Sequence, residues 1–192
     1  MTEQPWDLRR VLDEIKDDPA EYHETNEPVD PNAELCGVFR YIGARGTVER
    51  PTKLGPTMMF NNVKGFPDTR VLIELMASRQ RVGKMFHTDY AHLGEYLNQA
   101  VSKPVAPVVV DEDKAPAHEV VIKADDPDFD LRTLVAAPTN TPEDAGPYIT
   151  CGVVLGSNMD KTMSDITWTY HVASQKKAQI SIKKRDWNKF QS

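Results

Sequence analysis

The first apolar residues of the chain recur at the spacing of a helix. They stand at positions i, i+3, i+4 and i+7, with charged residues between them: Leu8, Val11, Leu12 and Ile15. Residues at these spacings fall on one side of an α-helix, so the pattern predicts an amphipathic helix. Asp18-Pro19 should end it, because proline cannot continue a helix and restricts the residue before it.

A second helix is predicted from Asp30 onward. Pro31 would take the first helical position, where a missing N–H costs nothing, and Glu34 would lie in the first turn. Four residues would form its apolar face: Leu35, Val38, Phe39 and Ile42. Gly43 follows this face and is typical of a C-terminal cap. Both helices are interpreted as packing elements.

The next apolar segment, residues 55–63, predicts a buried strand that closes on a turn at residues 64–67. From Thr69 to Val101 the apolar residues again favour helix. The order of helix, helix, strand and helical run predicts an α+β domain over residues 1–114, a normal domain size.

After this point β signals dominate. Residues 102–116 are rich in valine and proline and are interpreted as a linker that contains an extended strand. Glu119–Lys123 is a candidate strand, and Asp128–Leu134 predicts one short helical turn. Two further β-rich runs, Tyr148–Leu155 and Ser164–Thr167, predict a hairpin because a Gly/Asn/Asp-containing connection joins them. A β domain is therefore predicted over residues 115–170, followed by a basic tail, 171–192.

The net charge of −6 is unevenly distributed. Residues 171–192 carry six Lys or Arg against one acidic residue, so the rest of the chain is strongly acidic. An acidic body lacks the basic face that nucleic-acid binding requires. There is no apolar run of about 18 residues and no signal-peptide pattern, which predicts a cytoplasmic protein without a membrane partner.

Other common chemistries find little support. Cys36 and Cys151 stand far apart and form neither a metal-binding pattern nor a disulfide framework. His87 and His92 are five residues apart, which takes them off one helical face and off metal-ligand spacing.

Two segments around the predicted hairpin carry a family resemblance: Asp144-Ala145-Gly146-Pro147-Tyr148-Ile149-Thr150 with Gly152-Val153, and Ser164-Asp165-Ile166-Thr167. They resemble the UbiD family of non-oxidative decarboxylases, most closely the catalytic subunits that act on gallate or hydroxybenzoates. Val29-Asp30-Pro31 and the segment 55–65 agree with the family pattern. The resemblance spans about residues 5–167.

The resemblance implies an N-terminal α+β domain followed by the first strands of an incomplete split β-barrel that binds flavin. It implies prenylated FMN as cofactor, with Mn²⁺ or Mg²⁺ and K⁺. Asp165 would be the metal ligand, and the flavin contacts would come from Ile166, Thr167, Trp168 and Thr169. An oxygen ligand suits a hard divalent cation. The alternative is that Asp165 starts a strand after a turn and that Thr167 is an ordinary β-branched strand residue.

The resemblance also implies partners. The substrate would be a hydroxyaromatic acid such as gallate, protocatechuate or 4-hydroxybenzoate, and a flavin prenyltransferase would supply the cofactor. Members of the family are homo-oligomers.

The main departure from the family is Tyr170, which stands where the family has an arginine that contacts the cofactor. An arginine can hold an anion with two charged hydrogen bonds, whereas tyrosine offers one neutral hydroxyl. Beyond Thr167 the family pattern stops, and the Glu-Arg-Glu catalytic set of the family is missing. We therefore interpret the chain as an N-terminal fragment with a foreign or frame-shifted end, inactive alone. The alternative is a non-catalytic remnant that docks on a full-length partner.

Strand alternation would place Asp165, Thr167 and Thr169 on one face and Tyr170 on the other. The family arginine nevertheless reaches the cofactor. A bulge between Asp165 and Tyr170 would reconcile the two, so an irregular strand is predicted there.

Overall fold

The computed structural model describes residues 7–44, 55–106, 108–115, 118, 120–121, 123, 125–127, 129–157, 159–160 and 164–172. Its regular elements are α1 (Leu8–Ile15), β1 (Tyr22–Thr25), α2 (Glu34–Gly43), β2 (Thr57–Phe60), β3 (Val71–Ile73), α3 (Arg79–Met85), α4 (Leu93–Ser102), α5 (Leu131–Leu134), β4 (Tyr148–Ser157) and β5 (Ser164–Val172). Short 3-10 helices occupy Tyr90–His92 and Glu112–Lys114. This mixture confirms the α+β class, and no described helix is long and apolar enough to cross a membrane.

Helix α1 forms where the periodicity predicts it. The carboxylate of Asp7 accepts a hydrogen bond from the Arg10 N–H at 2.9 Å, which caps the helix N-terminus. Val11 and Ile15 are the buried members of its apolar face.

Helix α2 begins at Glu34, so the predicted start at Asp30 is wrong. The Asp30 carboxylate accepts the N–H of Asn32 at 2.8 Å, which turns the chain before any helical bond forms. Ala33 then adopts a φ of 64°, a left-handed conformation that a helix cannot contain. The Pro31 carbonyl and the Ala33 N–H instead bond to Thr139 in a distant loop, as described below.

Strand β2 is the middle strand of a three-stranded sheet with the order β1-β2-β3. All four of its residues are buried, which confirms the predicted buried strand. The predicted helical run over residues 69–101 is wrong at its beginning, because Val71–Ile73 forms the edge strand β3. Three consecutive apolar residues are compatible with a helix or a strand, and here pairing with β2 makes them a strand. Helix starts only at Arg79, where the Ser78 side chain accepts from the N–H of Arg81.

The strands predicted within residues 102–123 do not form among the described residues there. Glu119 and Ile122 lie outside the described residues. Val105 and Val109 are each 92% exposed, and the only regular element described in this stretch is the 3-10 helix at Glu112–Lys114. Alternating or apolar sequence alone does not make a strand, because a strand requires a partner for its backbone hydrogen bonds. The predicted one-turn helix near Asp128–Leu134 is present as α5.

Contacts divide the chain into two units that are interleaved in sequence. The first comprises Met1–Thr25, Phe39–Met59 and Leu72–Ile122, and the second Asn26–Val38, Phe60–Val71 and Lys123–Ser192. Buried apolar residues of the first are Val11, Ile15, Phe39, Ala44, Met58, Met59 and Leu93. Those of the second are Val29, Leu35, Phe60, Val63 and Ala136. The sequential boundary predicted between residues 114 and 115 stays a prediction.

The first unit contains a buried arginine, Arg81, that is only 1% exposed. Its Nε donates to the carboxylate of Glu21 at 2.8 Å. Its two terminal nitrogens donate to the carbonyl oxygens of Gly55 at 2.7 Å and Glu74 at 2.9 Å. These acceptors flank the beginnings of β1 and β2 and the end of β3, so one guanidinium holds all three strands. The other oxygen of Glu21 accepts from Lys84 Nζ at 2.6 Å.

We predict that Arg81→Leu lowers the free energy of unfolding by about 3–5 kcal/mol, because it leaves Glu21 and two carbonyl groups without their buried donor. Lys84→Met is the matched control. It removes a cation from the same carboxylate, but Lys84 is half exposed, so the loss should stay below about 1 kcal/mol. Urea unfolding of the three proteins measures both. Equal losses for the two variants would contradict the role assigned to Arg81.

Gly83, inside α3, gives a second prediction. A Cβ at this position would lie 2.8 Å from the carbonyl oxygen of Thr88 and 3.0 Å from the backbone N of Tyr90. Both obstacles are backbone atoms, so Gly83→Ala should destabilise by about 1–3 kcal/mol despite its better helix propensity. At Gly37 in α2 a Cβ meets nothing within 4 Å, so Gly37→Ala should stabilise by about 0.5–1 kcal/mol. Thermal unfolding showing the same sign for both would refute this.

Candidate functional site

The candidate site is built on the hairpin of β4 and β5, which confirms the predicted hairpin. The strands are antiparallel, and their pairing is continuous from Ser157 opposite Ser164 to Gly152 opposite Thr169. The strands are longer than predicted, because β4 extends to Ser157 and β5 to Val172.

The irregularity of this hairpin lies in β4. Gly152 pairs with Thr169, whereas Ile149 pairs with His171, so β4 contains one residue more than β5 over this interval. The bulge predicted in β5 between Asp165 and Tyr170 is therefore wrong in its strand, because β5 is paired without interruption from Asp165 to Thr169. Tyr170 stands across from the extra residue of β4.

The structure brings the five predicted site residues into one continuous stretch of β5. Their partners on β4 are, in order from Asp165 to Thr169, Gly156, Leu155, Val154, Val153 and Gly152. Asp165 and Thr169, the ends of this stretch, thus both pair with glycines. Their roles as metal ligand and flavin contacts stay predictions.

The sequence predicts one metal ligand on the hairpin, the carboxylate of Asp165, and this role stays a prediction. Among the described residues no three His, Cys, Asp or Glu side chains come together in a way that could hold a metal ion. A single carboxylate fits Mg²⁺ or Mn²⁺ only where phosphate oxygens and water complete the coordination. Asp165, if it is a ligand, would therefore need phosphate oxygens and water to complete the coordination of either ion.

The loop before β4 is held by its own side chains. Both oxygens of the Asp144 carboxylate accept hydrogen bonds, from the N–H of Asn140 at 2.6 Å and from the hydroxyl of Thr141 at 3.1 Å. At its base the N–H of Tyr148 donates to the carbonyl of Pro138 at 2.9 Å. This bond closes the loop at the first residue of β4.

Thr139 ties this loop to the segment before α2. Its N–H donates to the carbonyl of Pro31 at 3.0 Å. Its hydroxyl accepts from the N–H of Ala33 at 2.9 Å and donates to the side-chain oxygen of Asn32 at 2.7 Å. The family motif Val29-Asp30-Pro31 and the loop that leads to the Asp144 motif are thereby joined within the second unit.

The segment before α2 is fixed on its other side as well. The backbone of Val29 pairs in parallel with Val63, through bonds to Asn62 and Lys64 of 3.0 Å and 2.9 Å. The carboxylate of Glu34 accepts from the N–H of Asp30 at 2.6 Å and from Lys64 Nζ at 3.2 Å. These two donors hold the pKa of Glu34 below its usual value. Their contribution to stability is present above the unfolded-state pKa and is lost as the pH falls through the lowered one.

Two residues that organise the structure were not singled out from the sequence. Arg81 looks like one more charged residue of a helix, since only its three-dimensional setting reveals the carboxylate and the two carbonyl oxygens that accept its hydrogen bonds. Thr139 lies in a polar, proline-flanked loop in which any Thr, Asn or Asp is a plausible turn residue. No sequence signal distinguishes it, because its partners lie over a hundred positions away.

Two protein-family models match consecutive parts of the chain. The model of the 3-octaprenyl-4-hydroxybenzoate carboxy-lyase N-terminal domain matches residues 13–101. The model of the Rift-related domain of the same carboxy-lyase matches residues 108–186. The second match continues beyond Thr167, where the sequence pattern had suggested that the resemblance stops.

Individual relatives are similar over most of this chain. It is 75% identical over 167 residues to a gallate decarboxylase of Lactiplantibacillus plantarum, covering 87% of this chain and 34% of that protein. The apo structure of a 3,4-dihydroxybenzoic acid decarboxylase from Enterobacter cloacae is 49% identical with a TM-score of 0.80, covering 88% of this chain and 35% of the other.

A more distant structure has the same fold. The UbiD-class enzyme HmfF from Pelotomaculum thermopropionicum, in an evolved dimeric form in complex with prFMN, has a TM-score of 0.71 at 23% identity. It covers 86% of this chain and 35% of that one. The chain thus spans about a third of the length of the relatives it matches. From the two domain matches and the 75% identity, the chain belongs to the UbiD family of carboxy-lyases.

Proposed function

We propose that this chain forms the N-terminal part of a prenylated-FMN-dependent decarboxylase of hydroxyaromatic acids, with gallate as the first substrate to test and protocatechuate and 4-hydroxybenzoate next. The observation that carries the proposal is the 75% identity to a gallate decarboxylase over 87% of the chain. The 49% identity to a 3,4-dihydroxybenzoic acid decarboxylase supports the same class of substrate.

Within this proposal the β4–β5 hairpin begins a split β-barrel that holds the flavin phosphate. Asp165 would offer a carboxylate to Mn²⁺ or Mg²⁺, K⁺ would be the second cation, and Ile166, Thr167, Trp168 and Thr169 would contact the flavin. When bound, the prenylated flavin supplies an electron sink for loss of CO₂. The residues of this chain would orient the cofactor and balance its charge.

The partners proposed with this function are those of the family: a flavin prenyltransferase that supplies the cofactor and further copies of the subunit. A non-catalytic interaction module is the second candidate, and Tyr170 in place of the family arginine favours it. The two candidates differ in one respect that can be tested, which is whether this segment supports catalysis when the rest of a family member is attached.

A chimera tests the proposal. Residues 1–167 of this chain would replace the matching part of the Lactiplantibacillus plantarum gallate decarboxylase. We expect the chimera, loaded with prenylated flavin and Mn²⁺, to release CO₂ from gallate in a sealed assay. Asp165→Ala in this chimera should lower kcat/KM at least about tenfold, because a ligand of the metal is lost.

Asp113→Ala in the same chimera is the matched control, because Asp113 is an exposed carboxylate outside the hairpin. It should leave turnover unchanged. A folded chimera that binds flavin but releases no CO₂ would favour the interaction module instead, and equal losses for the two aspartate variants would remove Asp165 from the site.

The tyrosine at position 170 gives a separate prediction. A longer chimera that keeps this chain's residues through Val172 should have a kcat/KM roughly tenfold or more below the chimera joined after Thr167, because one neutral hydroxyl replaces two charged hydrogen bonds. Tyr170→Arg in the longer chimera should restore the rate. Equal rates for the two chimeras would show that Tyr170 is tolerated.

A further inference from the structure

We propose that Thr139 is a positioning residue: its hydroxyl fixes the loop before β4 to the turn before α2 and so fixes the position at which the β4–β5 hairpin begins. The consequence for ligand binding rests on the proposed function. The consequence for the hairpin itself rests only on contacts within the second unit.

The hydroxyl of Thr139 both accepts a hydrogen bond from the segment before α2 and donates one to it. It accepts the Ala33 N–H at 2.9 Å and donates to the Asn32 side chain at 2.7 Å. Thr139 is also paired with Asn32 in a parallel bridge, with its own N–H on the carbonyl of Pro31 at 3.0 Å. Valine has the same shape as threonine but can make neither hydroxyl bond, so it isolates their contribution.

The turn that receives these bonds is strained. Ala33 has a φ of 64°, a conformation that is unfavourable for a residue with a Cβ. Such a conformation persists where surrounding contacts enforce it. The Ala33 N–H is held by Thr139, and its carbonyl accepts the N–H of Gly37 at 2.8 Å in the first turn of α2. The Thr139 hydroxyl is therefore one of the two backbone restraints described for the left-handed residue.

Thr139 is connected to the hairpin through the residue before it, Pro138. Pro138, which precedes Thr139, accepts the N–H of Tyr148, the first residue of β4, at 2.9 Å. Anchoring Thr139 therefore anchors the carbonyl on which β4 begins. The irregular pairing of β4 follows directly, between Ile149 and Gly152. Because pairing with β5 is interrupted there, a contact from outside the hairpin is needed to fix the position of β4 at this end.

The experiment compares wild type, Thr139→Val, Thr139→Ser and Thr141→Val in the 192-residue chain. Thr141→Val is the matched control, because the Thr141 hydroxyl bonds only to Asp144 inside the same loop in the contacts described. Two quantities are measured: amide hydrogen exchange at Tyr148, and the Kd for FMN from quenching of flavin fluorescence. The Lys16 amide, bonded to Leu12 in the first unit, reports any global loss of stability.

We expect Thr139→Val to speed exchange at Tyr148 about tenfold and to raise the Kd for FMN about fivefold, with Lys16 unchanged, as the loss of one or two hydrogen bonds predicts. Thr139→Ser, which keeps the hydroxyl, should restore both quantities to within about twofold of wild type. Thr141→Val should leave both near wild type.

Unchanged exchange at Tyr148 in Thr139→Val overturns the inference, and so does faster exchange at Tyr148 and Lys16 together, since that indicates general destabilisation. Faster exchange at Tyr148 alone with an unchanged Kd for FMN also overturns the positioning role. If wild type binds no FMN, the flavin site proposed for this chain fails, and the exchange at Tyr148, with its rescue by serine, decides the inference alone.

Discussion

One buried guanidinium holds the first unit together. Arg81 donates to Glu21 before β1, to Gly55 before β2 and to Glu74 after β3, and it is almost fully removed from solvent. Burying a charge is costly unless it is paired and hydrogen-bonded, and here one carboxylate pairs the charge while two carbonyl oxygens accept further N–H groups. The sheet has only three strands of three or four residues, so its own ladder offers few hydrogen bonds to fix their relative positions. Arg81, which lies in α3 and outside the sheet, fixes these positions through its hydrogen bonds.

In the second unit, isolated backbone bridges fix the relative positions of segments that lie far apart in sequence. Short parallel pairings join Val29 to Val63 and Asn32 to Thr139, each at a single position. Isolated bridges contribute little without side-chain support, and each has it: Lys64 with Glu34 beside the first, and the Thr139 hydroxyl at the second. Segments that lie far apart in sequence thereby meet before β4 begins. In both units, polar side chains position the strands, and apolar burial then stabilises the arrangement.

Local pattern predicted the elements whose causes are local. Helix α1 follows from four apolar positions and a capping aspartate, and the hairpin from two β-rich runs around a turn. The start of α2 was wrong because Pro31 and Ala33 bond to Thr139, which no local pattern indicates. Strand β3 was missed because three apolar residues become a strand only beside β2. For the candidate site, the predicted strand from Asp165 to Thr169 is present, its metal and flavin roles stay predictions, and the bulge lies in the partner strand.

The position of that bulge constrains what Tyr170 can do. Pairing from Asp165 to Thr169 is regular, so these residues alternate in fixed order opposite Gly156 to Gly152. An extra residue in β4 just beyond Gly152 adds twist at the place where Tyr170 stands. The direction of the chain at position 170 is thus set by β4 and not by the identity of residue 170. An arginine and a tyrosine would leave the strand from the same backbone position, so the two differ only through their side chains, and for an anionic ligand the decisive differences are charge and hydrogen-bonding capacity.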